Sequence, residues 1–149
     1  MPERKPVDLL HAAAIALLRR VADVDQGSGL SAARLSALSS LERGGATTLG
    51  GLAAAERVTA PTMTRIVDGL ERDGHVRRGP HPEDRRAVRV VLTPRGRESF
   101  QRARGRRLDV LDRLFAEATP AEHATLRRAA EIVERCLART PADGNTTDG

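Results

Sequence analysis

Tryptophan and tyrosine are absent from the 149-residue chain, and phenylalanine occurs only twice. A platform for single-stranded nucleic acid needs rings on which successive bases stack, so the composition argues against one. Cysteine occurs once, at Cys136, which excludes an internal disulfide and a thiolate zinc site. Lysine is nearly missing as well: every basic residue but Lys5 is arginine. Nor is there an apolar run long enough for a membrane. The stretch LLHAAAIALL, preceded by Arg4 and Lys5, has the look of a signal peptide, but its 10 residues are too few to span a bilayer. Asp8 and His11 interrupt the segment, and Arg19 and Arg20 follow where small cleavage-site residues belong. The expectation is a cytoplasmic protein with no membrane contact.

What is present describes a soluble globular chain, 40% apolar and 30% charged, long enough to bury a real core. The net charge of +5 is unevenly spread. Between Arg72 and Arg107 there are 12 basic and 4 acidic residues, whereas the remainder of the chain carries 13 basic and 16 acidic ones. Such asymmetry points to a surface that faces a polyanion. Arginine bias also arises from genomic composition, so charge alone leaves a merely solvated basic face open. Catalytic signatures are wanting. No Ser-His-Asp order or metal motif has the right setting, and Gly50-Gly51 lacks the lysine that follows in a phosphate-binding loop.

The periodicity is mostly helical. Val7, Leu10, Ala14, Leu17, Val21 and Val24 recur at spacings of three and four, a seam suited to another helix, which Gln26 to Gly29 ends. Ser31 can cap a second helix bearing Leu35, Leu38 and Leu41, stopped by Gly44-Gly45. A short helix is expected around Leu52–Glu56, breaking near Val58, and another from Thr59–Pro61, with a capping hydroxyl and a first-turn proline. In this helix Met63, Ile66, Val67 and Leu70 face the core, so Pro61, Arg65, Asp68 and Arg72 point away, flanked by Thr62 and Thr64. Residues 75–78 are expected to pair with 87–93 as a hairpin, with Val88, Val90 and Leu92 on its buried side. Thr93-Pro94 starts a long helix carrying Phe100, Leu108, Leu111 and Phe115. Thr119-Pro-Ala-Glu122 is a capping box that opens a last helix with Leu126, Ala130, Val133 and Leu137.

Helix, break, helix and a hairpin with a basic tip is the order of a winged helix-turn-helix. A helix fits the major groove of duplex DNA, where hydroxyls and an arginine reach base edges, and a thin basic loop reaches a neighbouring minor groove. In PHPEDRR, Pro80 and Pro82 stiffen the loop, Arg85 and Arg86 sit where it turns, and Asp84 can pair with Arg86. Taken alone, the stretch is equally a solvated charged turn.

The segment Thr47 to Gly96 resembles the MarR family of multiple-antibiotic-resistance regulators. The matching pieces are TAPTMTR with VDGLERDGHVRR behind it, the wing PEDRR, and VVLTPRG after it. The resemblance implies a mainly α fold, a winged helix-turn-helix with a small β-hairpin wing and terminal dimerisation helices. Residues 7–25 and 94–139 would be those helices, 31–93 the DNA-binding lobe and 140–149 a disordered tail. It implies a homodimeric repressor that binds a pseudo-palindromic operator in double-stranded DNA and answers to a small-molecule effector. Carried over by position, Pro61, Thr62, Thr64 and Arg65 enter the major groove. Arg86 is the wing arginine beside Arg85, with Asp84 its partner, and Ser39 and Thr48 touch phosphates. The chain departs from the family at Ala60, where a serine is common, so one polar contact is missing.

No effector is named by the sequence, and no cofactor or metal is expected, since His11, His75, His81 and His123 are scattered. Redox-sensing relatives carry a cysteine in the first helix, which has none here. Cys136, next to Leu137 on a helix with an apolar face, reads as a buried structural thiol rather than a sensor. A second class of function stays open: a winged-helix protein-interaction module whose basic face meets an acidic partner.

Overall fold

A computed structural model of the chain describes residues 4–27, 29–81, 83 and 86–139. The order of elements is α1 (Pro6–Gln26), α2 (Ala32–Gly44), β1 (Thr47–Thr48), α3 (Leu49–Glu56), α4 (Ala60–Arg72), β2 (Val76–Pro80), β3 (Val88–Leu92), α5 (Pro94–Leu114) and α6 (Pro120–Arg139). The strands form one antiparallel sheet in the order β1-β3-β2. The fold is therefore mainly α with a small sheet, a winged helix-turn-helix flanked by long helices. The chain divides into two compact units, one ending at Asp112 and the other beginning at Arg113.

Local chemistry sets the helix starts. The Ser31 hydroxyl accepts from the Arg34 amide at 3.3 Å and opens α2, and Thr59 does the same for Thr62 at the head of α4. Thr119 and Glu122 close the expected capping box, each side chain accepting from the other's backbone amide. One start lies earlier than the sequence suggests. Thr48 accepts from the Gly51 amide at 3.0 Å, so α3 begins at Leu49 rather than near Leu52.

The core of the first unit is built where α2, α3 and α4 meet the sheet. Leu38, Met63, Val67, Leu70 and Val90 are completely buried, and Leu35, Leu41, Leu52 and Val76 nearly so. The hairpin extends two residues further along its first strand than periodicity indicates, pairing Val76 with Leu92 at the base and Pro80 with Val88 near the tip. Val90 fills the core and Leu92 packs against it, but Val88 is 46% exposed because it stands out on the wing. β1 has no periodicity of its own. Thr47 and Thr48 are a strand only because they pair with Val90 and Arg89.

The ends of the hairpin are clamped to the helices by Thr93. Its amide donates to the His75 carbonyl at 3.1 Å, its hydroxyl donates to the Gly74 and His75 carbonyls, and the same oxygen accepts from the Gly96 amide. Gly96 sits so close that a Cβ there would stand 1.9 Å from the His75 carbonyl oxygen. Two ion pairs tie the helices: Arg107 grips the buried Asp25 of α1 through both carboxylate oxygens, and Arg97 meets Glu42 of α2 at 2.9 Å.

Apolar surface remains uncovered on the long helices. In α1 the seam residues Leu17, Val21 and Val24 are half-buried, while Val7 and Leu10 are exposed. In α6 no residue is buried. Cys136, expected in a buried face, is exposed on that helix.

The clamp yields a stability prediction. Gly96→Ala should cost about 2–4 kcal/mol, because backbone rather than a flexible side chain meets the new methyl group. Gly105→Ala, on the same helix with nothing among the described residues within 4 Å of the added carbon, should gain about 0.5–1 kcal/mol. Urea denaturation of both variants beside the parent chain checks the pair. Equal midpoints would mean that no close approach exists at Gly96.

Candidate nucleic-acid interface

The face of α4 opposite Met63, Val67 and Leu70 is open to solvent. Pro61, Thr62, Arg65, Asp68 and Arg72 are all exposed, while Ile66, the fourth residue expected in the core, is half-buried against it. At the head of this helix the Thr59 and Thr62 hydroxyls lie 2.9 Å apart, so one donates to the other. Thr64 is half-buried, and its hydroxyl donates to the Ala60 carbonyl at 2.9 Å. That proton is spent on the backbone, which leaves the oxygen lone pairs and a methyl group to face a partner.

Arg65, Arg72 and Arg77 are exposed and make no ion pair among the described residues. Arg78 differs. Its guanidinium binds Asp68 of α4 at 2.6 Å and also Glu71, whose other oxygen accepts from the Arg78 amide at 2.9 Å. This amide and then the guanidinium hold the Glu71 carboxyl below its usual range, and Asp68 foremost raises Arg78. The contact fastens strand β2, and so the wing, to α4. On the opposite flank Arg34 of α2 reaches Asp73 at 2.8 Å across Gly69, where a Cβ would overlap its guanidinium at 2.1 Å. The sequence contained both devices only as acids and arginines at non-local spacings, without a pattern to pair them.

The wing carries Arg86, exposed at the turn before β3. The loop closes where the His81 amide donates to the Ala87 carbonyl at 3.0 Å, and the Glu83 amide donates to the His81 ring at 3.2 Å. Asp84 and Arg85 lie outside the described residues, as do Pro82 and the segment 140–149. The remaining two expected residues are placed differently. Thr48 is half-buried, with its hydroxyl holding the Gly51 amide. Ser39 lines a cleft with Leu18, Phe100 and Arg104. Among the described residues no group of three or more His, Cys, Asp or Glu side chains could hold a metal ion, and no helix is long and apolar enough to cross a membrane.

His75, between α4 and β2, is 9% exposed, and its Nδ1 has no hydrogen-bond partner among the described residues. Burial is the main force lowering its pKa from 6.5; Asp73 opposes the shift, while Arg95, Arg34 and Arg102 add to it.

Residues 30–88 match the family model described as MarR family. An uncharacterized HTH-type transcriptional regulator of Mycobacterium bovis is 36% identical over 132 residues, 89% of this chain and 92% of that protein. The HTH-type transcriptional repressor YetL of Bacillus subtilis is 42% identical over 50 residues, 34% of this chain and 30% of that protein. Among solved structures, wild-type MarR of E. coli in its apo form superposes with a TM-score of 0.74 at 26% identity, over 88% of this chain and 98% of that one. A MarR family protein from Bacillus stearothermophilus reaches a TM-score of 0.80 at 22% identity, over 89% of this chain and 92% of that one, a likeness of fold.

The buried imidazole makes the frame acid-sensitive. A lowered folded pKa means that the unfolded chain takes up the proton first as the pH falls. The His75 contribution is therefore complete above about pH 6.5 and is lost as the pH falls from there through the lower folded value. His75→Phe, which cannot titrate, should flatten this part of the profile. Thermal midpoints between pH 8 and pH 5 would show it; an unchanged slope would clear His75 of the effect.

Proposed function

The chain belongs to the MarR family, and on that premise we propose that it is a homodimeric, sequence-specific regulator of transcription that binds an inverted repeat in double-stranded DNA. The observation that carries the reading is the solvent-facing side of α4, with Pro61, Thr62 and Arg65 backed by a fully buried opposite face. A helix of this kind enters the major groove, Arg65 reaching base edges or the phosphates beside them. Arg86 enters the adjacent minor groove, where base information is sparse but negative potential strong. Thr64 contributes its methyl group and lone pairs, and Ala60 leaves its position silent. Thr48 and Ser39 are secondary phosphate contacts in this reading, and Asp84 and Arg85 complete the tip.

Dimerisation is supported by the bare apolar residues of the long helices. Val7 is 66% exposed on α1 and Leu137 70% on α6, apolar side chains that a second subunit would cover. A closed two-fold pair presents two copies of α4, so the operator is an inverted repeat with half-sites one helical turn apart or a multiple of it. The relative named a repressor supports repression as the sense of regulation.

The effector's place in this reading is the cleft of about 460 Å³ between α1, α2 and α5. Leu18, Leu35 and Phe100 supply apolar walls, and Arg43 and Arg104, without ion pairs among the described residues, supply positive charge. A small organic anion with an apolar body suits such a lining.

Selection of bound duplexes from a random pool tests the function directly, and an inverted repeat should emerge; no common sequence would leave the basic face to an acidic protein partner. On the selected site Arg65→Ala should cost about 1–3 kcal/mol and relax preference at one position per half-site. Arg86→Ala should weaken selected and scrambled duplexes alike and reduce the salt slope by about one unit per wing on phosphate. Anisotropy titrations across a salt series separate the two. If Arg86→Ala changes neither affinity nor slope, the wing is a solvated turn.

A ligand in the cleft acts only by preferring one arrangement of the two lobes. Any compound found to weaken operator binding must therefore lose affinity by the same factor when operator DNA is present. Calorimetric titration with and without the duplex measures both, and independent binding would rule the coupling out.

A further inference from the structure

The same turn closes α3 and α4, with one difference. At the end of α4 the His75 amide donates to the Leu70 carbonyl at 2.8 Å and the Gly74 amide to that of Glu71 at 2.9 Å. At the end of α3 the Val58 amide donates to Ala53 at 3.0 Å and the Arg57 amide to Ala54 at 3.1 Å. Both are the six-to-one, five-to-two closure that forces its penultimate residue into the left-handed region. Glycine fills that place in α4, at φ +76. In α3 the place is held by Arg57, at φ 54 and ψ 42. Among the described residues it is the single non-glycine with positive φ. A Cβ there crowds the neighbouring carbonyl, so an unstrained chain would use glycine.

Among the described residues nothing explains the arginine. Its side chain is exposed and makes no ion pair among the described residues. The adjacent acid, Glu56, is turned away to accept from the Ser36 and Ser40 hydroxyls of α2. Arg57 thus presents an unneutralised guanidinium at the bend of the helix-turn-helix, two residues ahead of the Thr59 cap that opens α4. The N-terminus of α4, the positive end of its dipole, follows within three residues of the charge, and a guanidinium fork matches phosphate oxygens in pairs.

We propose that Arg57 is a phosphate-binding residue that anchors the helix-turn-helix bend to the DNA backbone and sets the depth at which α4 enters the groove. The inference rests on the reading of the chain as a duplex-DNA binder. Backbone strain at a point of contact is retained when the side chain it carries is used elsewhere.

Three variants of the full chain test it, on the duplex that the wild-type protein enriches from a random pool and on a scrambled duplex of equal length. Arg57→Gln keeps the backbone cost and removes the charge. It should weaken both duplexes about 5- to 10-fold and lower the salt slope by about two units for a dimer. Arg57→Lys should restore most of the slope. Arg57→Gly relieves the backbone, so its thermal midpoint should stay or rise by about 2–4 °C while its binding falls as far as that of the glutamine variant. Wild-type affinity and slope in the glutamine and glycine variants would overturn the inference alone. So would a binding loss confined to variants whose thermal midpoint has dropped. A wild-type protein that binds neither duplex removes the DNA-binding reading and this inference with it.

Discussion

Met63, Val67 and Leu70 leave water completely where α4 packs onto the neighbouring helices, each burial contributing about 1.5–3 kcal/mol. The helical period converts that burial into a surface. With three rows of one face fixed inside, Pro61, Thr62 and Arg65 have only the outside left. What α4 can offer a partner is decided by how it is held. Two flanking contacts finish the seating: Arg34 lies across Gly69 to reach Asp73, and Arg78 draws Asp68 and Glu71 toward the hairpin. Neither exposed pair contributes much stability alone. Their effect is to set the orientation of α4 against α2 and β2.

The wing follows from the same frame. A two-stranded hairpin is marginal alone, and here β3 gains a second neighbour in β1 and sinks Val90 into the core. Thr93 then binds the end of β3 to the turn after α4 and opens α5 with the same side chain. The α4 helix, the wing and the first turn of the long helix therefore share one junction, around His75, Thr93 and Gly96. A displacement of α5 would reach the wing through the hydrogen bonds of Thr93 rather than through a loose linker.

Much of this was legible in the chain because it is local. Ser31, Thr59 and Thr119 announce their helices through hydroxyls that cap within three residues, and the core face of α4 is written in its own periodicity. The features that escaped are held by distant partners. β1 is two threonines whose strand geometry comes from β3. Gly96 is an ordinary first-turn glycine until the His75 carbonyl is found against it. Helix propensity also gives no warning that Arg57 occupies a left-handed turn. The reading of Cys136 as buried failed for a related reason: an apolar face on α6 identifies surface that needs a cover, without saying that the cover lies in the same chain.

The central claim is that α4 reads the major groove while the wing lies in the minor groove beside it. Methylation interference on the enriched duplex examines both at once, because N7 of guanine lines the major groove and N3 of adenine the minor. The account predicts guanine interference in two clusters, one per half-site and about one helical turn apart, with adenine interference beside each cluster. Interference from phosphate ethylation alone, with no base position affected in either groove, would contradict it.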